Sequence, residues 1–205
     1  MSPRPYRMGK REAATSQTRT RILDAARELL ANESETDLGM EAIARRANVS
    51  RLTVYYQFKS RTGLLDALYD HLAIRGNMGR MAEVFHASDP KIALEKLVGT
   101  FVGFWSSDPV VIRRLRGMAT LDPEIDQGIR ARDARRQHAA REILRRTVLR
   151  GEKKLSAEQQ NLTADVLTML ASFESYDALA RAGHGQAAIV ATLTRMARAA
   201  VDSAD

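Results

Sequence analysis

The residues best suited to chemistry crowd into one stretch, Met40 to Leu65, which reads MEAIARRANVSRLTVYYQFKSRTGLL. Arg51, Lys59 and Arg61 supply cations there, Ser50, Thr53, Tyr55 and Tyr56 supply hydroxyls, and Gln57 supplies an amide. Such a set suits an anionic surface rich in hydrogen-bonding edges. A guanidinium pairs bidentately with phosphate or with the major-groove edge of guanine, which makes Arg51 the first candidate for such a contact.

The elements that must position these groups are two short helices. The first carries Met40, Ile43, Ala44 and Ala47 on one side and ends at Ala47. Asn48 suits a left-handed turn position, and Ser50 suits the N-cap of the next helix. In that second helix Val54 and Phe58 share a face and bury with Val49. Leu52 and Tyr56 then point the opposite way, with Thr53 and Tyr55 on the flanks. Two short helices, a tight turn and a polar outer face form a helix-turn-helix whose second helix fits the major groove. Leu52, turned outward, is expected to pack on a thymine methyl. Packing inside the small domain is the competing reading for Tyr55 and Tyr56.

With these residues the chain resembles the TetR-type transcriptional regulators. Against their signature, I-A-x-x-A-G-V-S-x-G-T-L-Y-x-H-F-x-x-K-x-x-L, this chain reads Ile43-Ala44, Ala47, Val49-Ser50, Thr53-Val54-Tyr55, Phe58, Arg61 and Leu64, with Arg61 in place of the lysine. Thr18-Arg19, Ile22-Leu23 and Ala25-Ala26 stand where the family's first helix has its usual residues, so the resemblance covers about residues 16–75. It implies that Arg51, Thr53, Tyr55, Tyr56 and Gln57 face DNA, with Lys59 and Arg61 on phosphates and Arg19 and Ser50 at the same interface. Asn48 replaces the family's turn glycine, Leu52 its glycine before the threonine, and Ser34-Glu35 the glycine–aromatic pair of the first loop. Gly39 stands where a hydroxyl residue often touches phosphate, so a backbone N–H contact is expected there instead.

The rest of the chain reads as helix. The 205 residues hold five prolines and twelve glycines, and period-2 stretches are missing. Helices are predicted at 16–32, 39–46, 50–57, 61–86 with a possible break near Gly76, 90–105, 109–119, 123–150, 157–182 and 186–203. Asp-Pro at 89–90, 108–109 and 122–123 offers an N-cap followed by proline at the first helical position. Ser156 with Gln159 forms a capping box, and Gly183 and Gly185 close the helix it opens. The expected fold is all-α: a basic disordered arm over 1–15, a DNA-binding helix-turn-helix domain over 16–62, and a helical ligand-sensing and dimerisation domain over 63–205.

Charge and composition agree with a nucleic-acid partner. The formal net charge is +7, and residues 1–21 carry six basic side chains against Glu12 alone. Cysteine is absent, which removes disulfides, thiolate zinc sites and a cysteine nucleophile and fits a cytoplasmic location. No apolar run is long enough for a membrane span. His71, His86, His138 and His184 lack metal-ligand spacing, and neither a phosphate loop nor a nucleophile elbow occurs, so catalytic residues, metals and cofactors are not expected.

In the larger domain Leu162, Val166, Met169, Leu170 and Phe173 form one stripe. Ile189, Val190, Leu193, Met196, Ala197, Ala200 and Val201 form a second, and the pair is expected to build a homodimer interface from the last two helices. Phe101, Phe104, Trp105, Met118, His138, Met169, Phe173 and Tyr176 are candidates for an effector pocket, with plain core packing as the alternative. The arginine-rich stretch 130–146 reads as a solvated helix face. The functional expectation is a repressor released from a palindromic operator by a small molecule. The alternative is an all-helical small-molecule-binding or adaptor protein without operator binding.

Overall fold

The computed structural model describes residues 4–32, 38–150 and 154–203, so Ser34-Glu35 lies outside the described residues. Among those residues every regular element is helical. They are α1 (Arg4–Ala31), α2 (Met40–Arg46), α3 (Arg51–Phe58), α4 (Arg61–Arg75), a 3-10 turn (Met78–Arg80), α5 (Met81–His86) and α6 (Pro90–Ser107). After these come α7 (Pro109–Ala119), α8 (Pro123–Leu149), α9 (Ala157–Leu170), α10 (Phe173–Arg181) and α11 (Gln186–Asp202).

Local chemistry explains most of the boundaries. Asp89 accepts from the Lys91 amide at 2.8 Å and starts α6 behind Pro90. Asp122 does the same for α8, accepting from the amides of Glu124 and Ile125 at 3.1 and 3.3 Å. Ser156 and Gln159 close the reciprocal capping box at the head of α9. Gly183, at φ +88°, ends α10 in the left-handed region that a side chain would disfavour.

Two expectations are corrected and a third is met. The arm assigned to residues 1–15 is helical from Arg4 onward, since Met8 to Ala14 contains good helix formers and Pro5 falls in the first turn. The break allowed for near Gly76 is present: the stretch from 61 divides into α4, the 3-10 turn and α5, with Asn77 left-handed at φ 56°. The helix expected over 157–182 is two helices. Ser172 caps α10 by accepting from the Ser175 amide at 3.2 Å, and the Trp105 indole donates to the Ala171 carbonyl at 3.0 Å.

The chain forms two compact units, and the first is not contiguous: residues through His71 associate with Arg113–Gly128. Its buried side chains include Ile22, Ala26 and Leu30 of α1, Ile43 of α2, Val54 and Phe58 of α3, and Leu64 and Leu68 of α4. Leu115 and Ile125 of the added segment are buried too. Arg114 donates to the carbonyls of Leu30 and Asn32, where α1 leaves acceptors unsatisfied. Tyr69 donates to the Ile125 carbonyl at 2.9 Å, and a Cβ at position 128 would strike the Tyr69 ring, so glycine is required there.

The second unit, Leu72–Ile112 with Ile129–Asp205, packs around α6. Leu94, Leu97, Val98, Phe101 and Trp105 of α6 share one core with Ile143, Leu167, Phe173, Ile189 and Leu193. Leu193 is 2% exposed and is core of its own unit, whereas Leu162, Met169 and Met196 stand open at 67%, 56% and 48%.

Candidate nucleic-acid interface

The turn between α2 and α3 is built as its residue types dictate. Asn48 sits at φ 51°, and the Val49 amide reaches back to the Ala44 carbonyl at 3.0 Å. Ser50 caps α3, accepting from the Thr53 amide at 3.0 Å, and the two hydroxyls of Ser50 and Thr53 lie 2.8 Å apart. Those hydroxyls thus serve the helix start first. Beyond the cap, Val54 and Phe58 are buried while Leu52, Tyr55 and Tyr56 are exposed at 57%, 51% and 64%. Neither tyrosine fills the small domain. Arg51 is exposed beside them, Gln57 is half-buried, and the Lys59 ammonium lies 6.0 Å from the centre of the Tyr56 ring.

Lys59 ends the helix in an unusual way. Its φ of 68° and ψ of −36° place Ser60 so that its amide bonds the Phe58 carbonyl at 2.8 Å, a γ-turn of the strained hand. The strain ends α3 abruptly and leaves the ammonium exposed.

Two of the candidate DNA-binding cations have intramolecular work. Arg19 of α1 donates to the Gln57 carbonyl at 2.8 Å, and its guanidinium lies 4.3 Å over the Phe58 ring. It caps the last turn of α3 and fixes that helix on α1. Arg61 was expected on a phosphate; in the structure its Nη2 bonds Asp122 at 2.5 Å and its Nη1 bonds Glu124 at 2.7 Å. The hydrogen bond to Asp122 raises the Arg61 pKa and lowers that of Asp122, each holding the other in its charged form. No spacing rule links positions 61 and 122, so the sequence carried no sign of this pair. Gly39 heads α2 with an extended backbone and no side-chain cap, and its carbonyl accepts from the Ile43 amide at 3.1 Å.

The candidate effector residues divide. Phe101, Trp105, Phe173 and Tyr176 are buried and form a chain of ring contacts, with Phe101–Trp105 at 5.9 Å, Trp105–Phe173 at 5.7 Å and Phe173–Tyr176 at 6.1 Å. Phe104 touches Trp105 at 4.6 Å and lines a cleft of about 310 Å³ with Leu72, Arg75, Ser107, Asp108 and Ile112. His138 and Met169 are exposed, and Met118 belongs to the first unit, so these three do not join the ring cluster. Sequence reasoning missed Arg136. Unlike its exposed neighbour Arg135, it is buried, its guanidinium lies 5.9 and 5.8 Å from the centres of the Phe101 and Trp105 rings, and it pairs with Asp133 at 2.9 Å.

Among the described residues no cluster of three or more metal-ligating side chains occurs, and no helix is long and apolar enough to cross a membrane.

Comparison with known proteins agrees with this geometry. Residues 22–68 match the family described as bacterial regulatory proteins, tetR family. The HTH-type transcriptional regulator AlkX of Mycobacterium tuberculosis is 34% identical over 122 residues, 54% of this chain and 53% of that protein. YvkB of Bacillus subtilis, an uncharacterized HTH-type transcriptional regulator, is 39% identical over 67 residues, 32% of this chain and 35% of its own. The chain thus spans about half the length of the first relative and about a third of the second. Among solved structures, a TetR-like regulator from Rhodococcus sp. RHA1 aligns with TM-score 0.67 at 19% identity, covering 91% of this chain and 96% of that one. NalD, the secondary repressor of the MexAB-OprM multidrug efflux pump in Pseudomonas aeruginosa, aligns with TM-score 0.65 at 21% identity over 91% and 96%. At such identities these structures speak for the fold.

Proposed function

We propose that this chain, whose residues 22–68 match the bacterial tetR family of regulatory proteins, is a cytoplasmic transcriptional repressor of that family that binds a palindromic operator as a homodimer. The observation that carries this reading is the outer face of α3. Arg51, Leu52, Tyr55 and Tyr56 stand exposed on a helix fixed at its head by Ser50 and at its end by Arg19. A rigid helix with an open face of cation, hydroxyl and apolar groups is what base-edge readout needs. Ser50, Thr53, Gln57 and Lys59 border that face, Lys59 on phosphate.

Dimerisation rests on α9 and α11, whose Leu162, Met169 and Met196 are large apolar side chains left about half or more exposed by their own unit. Two reading heads about 34 Å apart would then meet successive major grooves. The effector is an apolar or amphipathic small molecule taken up by the second unit at the cleft beside Phe104, with the buried ring cluster behind it. It lowers operator affinity, and linkage requires DNA to lower effector affinity by the same factor.

Chromosomal fragments captured by the purified chain test this reading. Enrichment of a palindromic site, released by a small molecule that also quenches or shifts Trp105 fluorescence, is the expected result. Uniform capture of all fragments, or none, would contradict it.

A further inference from the structure

The start of α4 follows directly on α3 and Lys59, at the edge of the face assigned to DNA, and there Arg61 is already occupied. Its Nη1 donates to Asp122 Oδ1 at 3.3 Å and to Glu124 Oε2 at 2.7 Å, while Nη2 donates to Asp122 Oδ2 at 2.5 Å. Thr62 adds a hydroxyl to Glu124 Oε1 at 3.3 Å. Carboxylate and phosphate present the same fork of acceptor oxygens to a guanidinium, so one occupant excludes the other. Asp122 and Glu124 together outweigh the charge of Arg61 alone, so the guanidinium offers an approaching phosphate no free positive charge while they hold it.

We propose that Asp122 and Glu124 form an acidic latch that competes with the DNA backbone for Arg61 and so sets the affinity of the chain for its operator. The latch is reversible by construction. Asp122 also accepts from the Glu124 and Ile125 amides as the cap of α8, so its carboxylate keeps hydrogen-bonded partners when Arg61 leaves. Arg61 is 30% exposed at its side chain and Glu124 is 45% exposed, so the exchange needs no opening of a core. Asp122 and Glu124 lie in the segment Arg113–Gly128, which belongs to the first unit although it is cut out of the middle of the chain.

The inference rests on the reading of α3 as the DNA-facing helix, and the test separates the two. Binding of a random-sequence duplex and of a captured palindrome is followed by fluorescence anisotropy over a salt series. The proteins are the full chain, Asp122→Asn/Glu124→Gln, Arg61→Gln, and the triple variant. The neutralised pair should bind both duplexes tighter by about five-fold or more at low salt, and the gain should vanish in the triple variant. Glu124→Gln alone, which leaves the α8 cap intact, should give a smaller gain in the same direction. A gain that persists without Arg61 is a general charge effect and overturns the latch, as does unchanged or weakened binding by the neutralised pair. Failure of the unaltered chain to bind any duplex would overturn the DNA-binding reading, and the latch with it.

Discussion

At the residue scale, the outer face of α3 divides between side chains that hold the helix and side chains left open. Leu52 is the sharpest case, because a leucine 57% exposed on a short helix contributes little to its own domain. Leu52→Ala should therefore leave the melting temperature nearly unchanged and weaken binding to operators carrying thymine at one symmetric position. Equal losses on thymine and uracil operators would show that no methyl is read. Lys59 carries the opposite prediction. Glycine accepts its φ of 68° without a Cβ, so Lys59→Gly should stabilise the fold by about 1 kcal/mol while weakening DNA binding through the lost cation. Thermal unfolding and binding measured on one sample would check both signs. Asp122 adds a pH signature. Its hydrogen bond from Arg61 holds the carboxyl below its ordinary value of 3.8, so its stabilising effect is complete above that value. It is lost as pH falls through the lowered folded-state value. The gap in melting temperature between the unaltered chain and Asp122→Asn should accordingly narrow between neutral and strongly acid pH.

At the element scale, the features legible in the sequence were those written in local codes. The Asn48 turn, the Ser50 cap, the Asp89 and Asp122 caps and the capping box at Ser156 each depend on residues within a few positions, and each stands as read. What escaped depends on partners far along the chain. The break at Ala171–Ser172 accompanies a bond from Trp105, the burial of Arg136 depends on rings of α6, and Arg61 is claimed by residues some sixty positions away. The apolar stripes misled in one respect. Leu193 and Met196 lie on one stripe, yet the first is core and the second open. An aspartate at Leu193 would therefore unfold the unit rather than report on assembly. Met196→Asp with Leu162→Asp is the cleaner probe: it should retain its fold by circular dichroism and sediment as a monomer, where the unaltered chain should sediment as a dimer. A variant that stays dimeric at low micromolar concentration would remove α9 and α11 from the interface.

At the scale of the whole molecule, the unit that carries α3 and the ring-filled unit share helices. α4, α7 and α8 each begin in one unit and end in the other. The latch at Arg61 sits on the two segments of the first unit that these helices supply. Sequence reading by α3 is tested directly by one measurement. Duplexes selected by the unaltered chain from a random pool should converge on a palindrome, bound with an affinity that falls linearly with salt on logarithmic axes. Arg51→Ala should lose about 1–3 kcal/mol on that palindrome through one symmetric base pair while keeping its affinity for random duplex within a small factor. A pool that never converges, or an Arg51→Ala chain that loses selected and random duplex alike, would contradict sequence reading by this helix.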